Sequence, residues 1–253
     1  GRNRKMSIKA VILAAGMGTR LGIHAQGNPK CLLEIDGSTL LERSLTNLSD
    51  AGVRDAVIVL GFRGAAITEL IGNEYKGIDI TYVENLEYAN TGNMYSLARA
   101  KDILKTDTMI LEGDLIYQGD AITRLIEAPE KDIILVGRLL HHGDDVFIRT
   151  NERGHITDLG VKIDRNEEAV GALLGISKYS PEFIEKLFAQ ADSDFAQGNT
   201  NFHYEETVLE TSKSGHPIHA LICHDIHWTE VDNENDLKRA REEVYPKILA
   251  SNL

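Results

Sequence analysis

The chain has 253 residues, 42% of them hydrophobic, which is enough for one large α/β domain with a proper core. A formal net charge of −12 argues against nucleic acid and against an anionic membrane surface as the main partner. No apolar run is long enough to span a bilayer and no signal peptide is visible. The two cysteines, Cys31 and Cys223, have no partner at metal-ligand spacing, so reduced thiols and a cytoplasmic location are expected.

Gly1-Arg2-Asn3-Arg4-Lys5, ahead of Met6, is set apart as a remnant or disordered lead, and a single domain is expected over 7–250. Residues 8–14 form a continuous apolar run, the pattern of a strand covered on both faces. A short extended piece over 31–35 ends at Asp36-Gly37, and Leu41, Leu45 and Leu48 mark a helix over 39–48. A buried strand over 56–60, a helix over 65–71, a strand over 78–83 and a helix over 94–104 follow. Further strands at 108–111 and 133–136 bracket a helix over 121–127. Beyond Val146 the pieces shorten, with extended runs at 146–150, 155–159 and 169–177. Helices are expected over 181–189 and 203–211, and a charged helix over 234–244 closes the chain. Strands alternating with helices predict an α/β fold, a mostly parallel Rossmann-like sheet flanked by helices, with a smaller mixed sheet section after Val146 for a second substrate.

The chemistry concentrates in Leu13-Ala14-Ala15-Gly16-Met17-Gly18-Thr19-Arg20, followed by Pro29-Lys30. A strand turns abruptly into a loop of small residues, whose backbone N–H groups can approach phosphate oxygens unobstructed. Arg20 and Lys30 would neutralise what that backbone cradles. The loop is not a P-loop, which ends in Gly-Lys-Ser/Thr where this chain has Gly18-Thr19-Arg20. It is not the dinucleotide fingerprint either, because Leu21 stands where the third glycine belongs. A nucleoside triphosphate site is expected here.

These residues resemble the signature of nucleotidyltransferases that make activated sugars and alcohols. The similarity runs through nearly the whole chain and is greatest to the cytidylyltransferase branch acting on phosphocholine and 2-aminoethylphosphonate. The resemblance implies the fold of the nucleotide-diphospho-sugar transferases, CTP as donor, a small anionic amino-bearing acceptor and Mg²⁺. Positioning, cations and the metal suffice for an already ionised attacking oxygen, with no covalent intermediate and no general base. Arg20 and Lys30 then act as catalytic cations, with the backbone of Leu13 to Thr19 holding the nucleotide.

Two carboxylates stand at strand ends. Asp114 in Glu112-Gly113-Asp114-Leu115 and Asp232 in Glu230-Val231-Asp232 match the family's metal positions, with a cap of the helix that follows as the alternative for Asp232. Asn85, Gly92 and Asn93 lie in a segment that could read the cytosine edge, with Asn93 or Thr91 as a helix cap instead. Lys162 matches a basic residue that reaches the acceptor phosphate, or is a solvated surface lysine. Tyr204, Glu205 and Glu206 supply the aromatic face and acidity that an ammonium seeks, or are the acidic first turn of an ordinary amphipathic helix. His203, His216, His219, His224 and His227 fit no standard metal spacing. Two other readings stay open: a sugar-1-phosphate nucleotidyltransferase using UTP, dTTP or GTP, and a nucleotide-sensing subunit without turnover. A homo-oligomer, or one domain of a larger fusion, is compatible with either.

Overall fold

The computed structural model describes residues 7–252, so the lead at 1–6 lies outside the described residues. The order begins with strand β1 (Lys9–Ala14), helix α1 (Leu40–Asp50), β2 (Asp55–Leu60), α2 (Gly64–Ile71), β3 (Ile78–Glu84), α3 (Asn93–Ala98) and β4 (Thr108–Glu112). It continues through β5 (Leu115–Tyr117), α4 (Asp120–Glu127), β6 (Ile133–Gly137), β7 (Phe147–Thr150), β8 (Ile156–Gly160) and β9 (Gly171–Tyr179). It ends with α5 (Pro181–Ala196), α6 (Tyr204–Ser212), β10 (His219–Ile222), β11 (Trp228–Glu230), α7 (Glu234–Arg239) and α8 (Tyr245–Ser251).

One large sheet carries the fold, in the order β8-β7-β9-β4-β1-β2-β3, with β6 joined to β9 and β10 joined to β6. β4, β1, β2 and β3 are parallel, and β9 runs antiparallel to β4. β1 is buried on both sides, its successive side chains alternating between the two covered faces. Ala10, Ile12 and Ala14 pack with Leu41, Leu45 and Ile67, while Val11 packs with Leu97, Phe183 and Leu187. The mixed section expected after Val146 is present as an antiparallel extension of this same sheet, with β7 and β8 paired to each other and β7 to β9.

Local chemistry sets the boundaries. Thr39 and Glu42 form a reciprocal capping box that starts α1 one residue later than the leucine spacing alone suggests. Ser180 caps α5 and Pro181 occupies its first turn. Three expectations are corrected. Residues 30–32 form a short 3-10 turn rather than extended chain, and strand pairing begins at Glu34. The helix expected over 94–104 stops at Ala98 and gives way to a separate turn at Lys101–Ile103. The last helix does not stop at Val244. It passes through a π-turn at Ala240–Val244 into α8, because Pro246 has no N–H to continue the regular ladder.

Gly92 shows how tightly the site's framework is drawn together. A Cβ there would lie 2.1 Å from the Phe202 carbonyl oxygen, and the strand-like segment ahead of α6 bonds to it through Gly92 N–H to Thr200 O at 3.0 Å. Gly92→Ala is expected to push α3 away from residues 200–202 at a cost of about 1–3 kcal/mol, lowering the thermal midpoint by several degrees in calorimetry. An unchanged midpoint would show that this contact relaxes freely.

Candidate active site

The phosphate-type loop emerges from the carboxyl end of β1, where ligands of open α/β sheets bind. Gly18 has a positive φ of 66°, and Lys30 N–H bonds back to Gly16 O at 3.4 Å, so the second cation is tied directly to the loop. Pro29 holds the residue before that turn extended. A cavity of about 140 Å³ opens beside it, lined among others by Leu13, Ala14, Ala15, Gly16, Lys30 and Asp114.

Asp114 and Asp232 are brought together by a two-stranded ladder. β5 pairs antiparallel with β11, Leu115 opposite Glu230, and Val231 N–H bonds to Asp114 O at 2.8 Å. The helix after Asp232 is capped by Asn233, whose side chain accepts from Asp236 N–H at 2.9 Å. Asp232 is therefore not the cap, and its carboxylate faces the site. Its own N–H is anchored by Asp236 Oδ2 at 3.0 Å, and Arg239 holds Asp236 in turn.

Lys30 sits between the two carboxylates, 3.1 Å from Asp114 Oδ2 and hydrogen bonded to Asp232 Oδ1. Arg20 is more loosely placed, 3.9 Å from Asp232 Oδ2 with a largely exposed side chain. Burial alone would lower the Lys30 pKa, but Asp114 and Asp232 outweigh it and hold the ammonium firmly charged. Burial raises the Asp114 carboxyl to about 6, helped by Asp232 and opposed by Lys30. Burial also acts to raise Asp232, but Lys30 overcomes it and keeps that carboxyl low. Glu230 rises to about 10 through burial and the charges of Asp114 and Asp232. Burial, then Asp114 and Glu205, push Glu112 well above its ordinary range.

Oxygen atoms of Asp114, Glu230 and Asp232 lie within 4.8 Å of one another. An all-carboxylate donor set of this kind suits a hard divalent cation, and Lys30 already places a positive charge against two of its members.

The other sequence-derived residues divide. Asn93 lines the cavity, but it does not cap its own helix, whose cap is Gly92; its side chain accepts from Tyr204 N–H at 2.7 Å. Asn85 is buried, and its amide nitrogen is spent on Ser96 at 2.8 Å and Thr91 at 3.0 Å. Gly92 serves the approach of residues 200–202. Met17 and Thr19 are exposed beyond the cavity lining, and Lys162 is exposed on the turn after β8. The Tyr204 ring is fully buried and offers no face to a ligand; its hydroxyl donates to Glu112 Oε2 at 3.0 Å. Glu206 is exposed and closes a capping box by accepting from His203 N–H. Glu205 is mostly buried beside this network.

Glu112, Ser96 and Cys31 line the cavity without having been singled out, and Glu230 completes the carboxylate set. Glu230 was legible, because residues two apart in a strand share a face and Asp232 had already been selected. Burial raises the Cys31 thiol to about 12, which leaves it a packing group rather than a nucleophile.

A small-residue loop after β1, a lysine tied to it and a carboxylate cluster across the cleft are the arrangement a nucleotidyltransferase needs. The chain belongs to the family of the MobA-like NTP transferase domain, whose model matches residues 10–224. It is 30% identical over 242 residues to CMP-5'-(3-aminopropyl)phosphonate synthase of Streptomyces rubellomurinus, covering 92% of this chain. The chain spans 38% of that relative's length. It is 26% identical to CTP:phosphoglutamine cytidylyltransferase of Campylobacter jejuni subsp. jejuni serotype O:2, covering 91% of this chain and 98% of that one. The solved CTP:phosphocholine cytidylyltransferase of Streptococcus pneumoniae shares the fold, with a TM-score of 0.74 at 20% identity over 94% of this chain and 99% of that one. No helix among the described residues is long and apolar enough to cross a membrane.

Proposed function

We propose that the chain transfers CMP from CTP to a small amino-bearing phosphonate or phosphate, releasing pyrophosphate, with 2-aminoethylphosphonate preferred and phosphocholine next. The observation that carries this reading is acidity outside the metal cluster: Glu112 lines the cavity beside Lys30, with Glu205 nearby. That acidity suits an acceptor that brings its own positive charge, whereas a sugar phosphate would want neutral hydrogen-bonding groups. The Streptomyces rubellomurinus relative, named for a CMP-phosphonate, supports the same choice.

In this mechanism the backbone from Leu13 to Thr19 holds the polyphosphate, with Asn93 at the cavity wall. Arg20, free to swing, meets the β- and γ-phosphates. Lys30 bridges the α-phosphate and the attacking oxygen, so that two anions are brought together against one fixed cation. The attacking oxygen is already ionised near neutral pH and displaces pyrophosphate from the α-phosphorus in line. Asp114 and Asp232, with Glu230 beside them, would hold Mg²⁺, which when bound would screen the phosphates and the leaving pyrophosphate. Lys162 remains a proposed contact for the acceptor's anionic end. The domain is taken as 7–250, acting in the cytoplasm, where Cys31 and Cys223 stay reduced, and as one module of a longer protein or a homo-oligomer.

The test is pyrophosphate release with CTP, UTP, dTTP and GTP, each paired with 2-aminoethylphosphonate, phosphocholine, phosphoethanolamine and sugar 1-phosphates. Turnover confined to CTP and amino-bearing acceptors is expected. Turnover only with a sugar 1-phosphate would discard the acceptor assignment and keep the loop. Tight CTP binding without any turnover would favour a sensing subunit.

A further inference from the structure

Given the cytidylyl transfer proposed above, we infer that Glu112 receives the amino group of the acceptor and that Tyr204 is its positioning residue. Glu112 ends β4 directly beside Leu13 of the phosphate loop strand. It lines the cavity beside Lys30, and it also lines a second, smaller one walled by Leu173, Trp228, Glu230 and Asp144. No other residue among those described lines both. The second is about 20 Å³, room for a group the size of a water or an ammonium, so an acceptor whose phosphonate meets Lys30 in the first would bring its amine against Glu112 at the edge of the second.

Of the competing carboxylates, all but Glu205, whose buried Oε2 has no hydrogen-bond partner among the described residues, are already committed. Asp114, Glu230 and Asp232 form the cluster suited to a divalent cation. Glu206 is spent on the α6 cap, and Glu205 lines neither cavity. Glu112 lies outside both sets and has a built setting. Tyr204 O–H donates to its Oε2 at 3.0 Å, and Tyr204 is itself fixed by its N–H to Asn93 Oδ1 at 2.7 Å. Gly175 in β9, with φ of +98°, clears the room: a Cβ there would lie 2.6 Å from Glu112 Oε2. One oxygen of the carboxylate is thereby held in place. An ammonium supplies positive charge to a wall whose carboxylates are faced by Lys30 and Arg20.

The experiment compares kcat/KM for 2-aminoethylphosphonate with that for ethylphosphonate, which has the same skeleton without the amine. In Glu112→Gln the preference for the amine should fall by about 10²-fold, while the KM for CTP holds. Tyr204→Phe should raise KM for the amino acceptor about tenfold and leave ethylphosphonate and CTP unaffected. A purely structural role for Tyr204 would instead lower kcat equally with both acceptors. Glu206→Gln, which keeps the helix cap, should leave the preference as it is in the native chain. If Glu112→Gln does not fold, the Tyr204→Phe split decides alone. A native-like preference in the Glu112 or Tyr204 variant overturns the assignment while cytidylyl transfer stands. A native chain that turns over no acceptor with CTP overturns both.

Discussion

Lys30→Ala is expected to reduce pyrophosphate release by at least 10²–10³-fold, the order of loss seen when one preorganised charge-stabilising group is removed. The reason is geometric. Lys30 is the cation tied by its backbone to the loop at Gly16 O and by its ammonium to Asp114 and Asp232. Arg20, at 3.9 Å and largely exposed, cannot substitute for it without losing that fixed position. The loss should fall on kcat rather than on the KM for CTP, because the charge it meets is greatest as the two anions join. The variant should also remain folded. Circular dichroism and thermal midpoint are the controls. Near-native turnover in a folded Lys30→Ala protein would remove Lys30 from the chemistry.

Asp114→Asn should abolish divalent-ion dependence and cut turnover by a comparable factor, since a neutral amide is a poor partner for a hard cation. Its pH dependence gives a second handle. With the Asp114 carboxyl near 6, the carboxylate form predominates above that value and the protonated form below it. The protonated form is neutral, so divalent-ion affinity should weaken as pH falls through 6, by about tenfold per unit for the Asp114 proton and more steeply where Glu230, raised to about 10, must release its proton as well. Calorimetric titration with Mn²⁺ or Mg²⁺ between pH 5 and 8 measures this directly. Asp114→Asn should flatten the profile, and a native profile flat across pH 6 would contradict the role assigned to Asp114.

Much of the fold was legible because its signals are local. The apolar run at 8–14, the Leu41-Leu45-Leu48 spacing and the break at Glu112-Gly113-Asp114 each report a nearby constraint. The loop and Lys30 were legible for the same reason. Long-range decisions were not. Nothing within Tyr204-Glu205-Glu206 reveals that Tyr204 turns inward to Glu112, 92 residues away, or that Glu206 is consumed as a cap. Asn85 reads as polar and available until Ser96 and Thr91 are found filling its donors. The choice between cap and ligand at Asp232 turned on a single neighbour, Asn233, whose side chain takes the capping role. Pro246 carried a clear local warning of irregularity, and the π-turn before α8 is its consequence.

The most direct measurement is ³¹P NMR of the chain incubated with CTP, Mg²⁺ and 2-aminoethylphosphonate. Transfer predicts that the free phosphonate resonance is replaced by a coupled phosphonate–phosphate pair, with one pyrophosphate formed for each. Hydrolysis of CTP to CMP with the phosphonate untouched, or conversion only when a sugar 1-phosphate replaces it, would contradict the account.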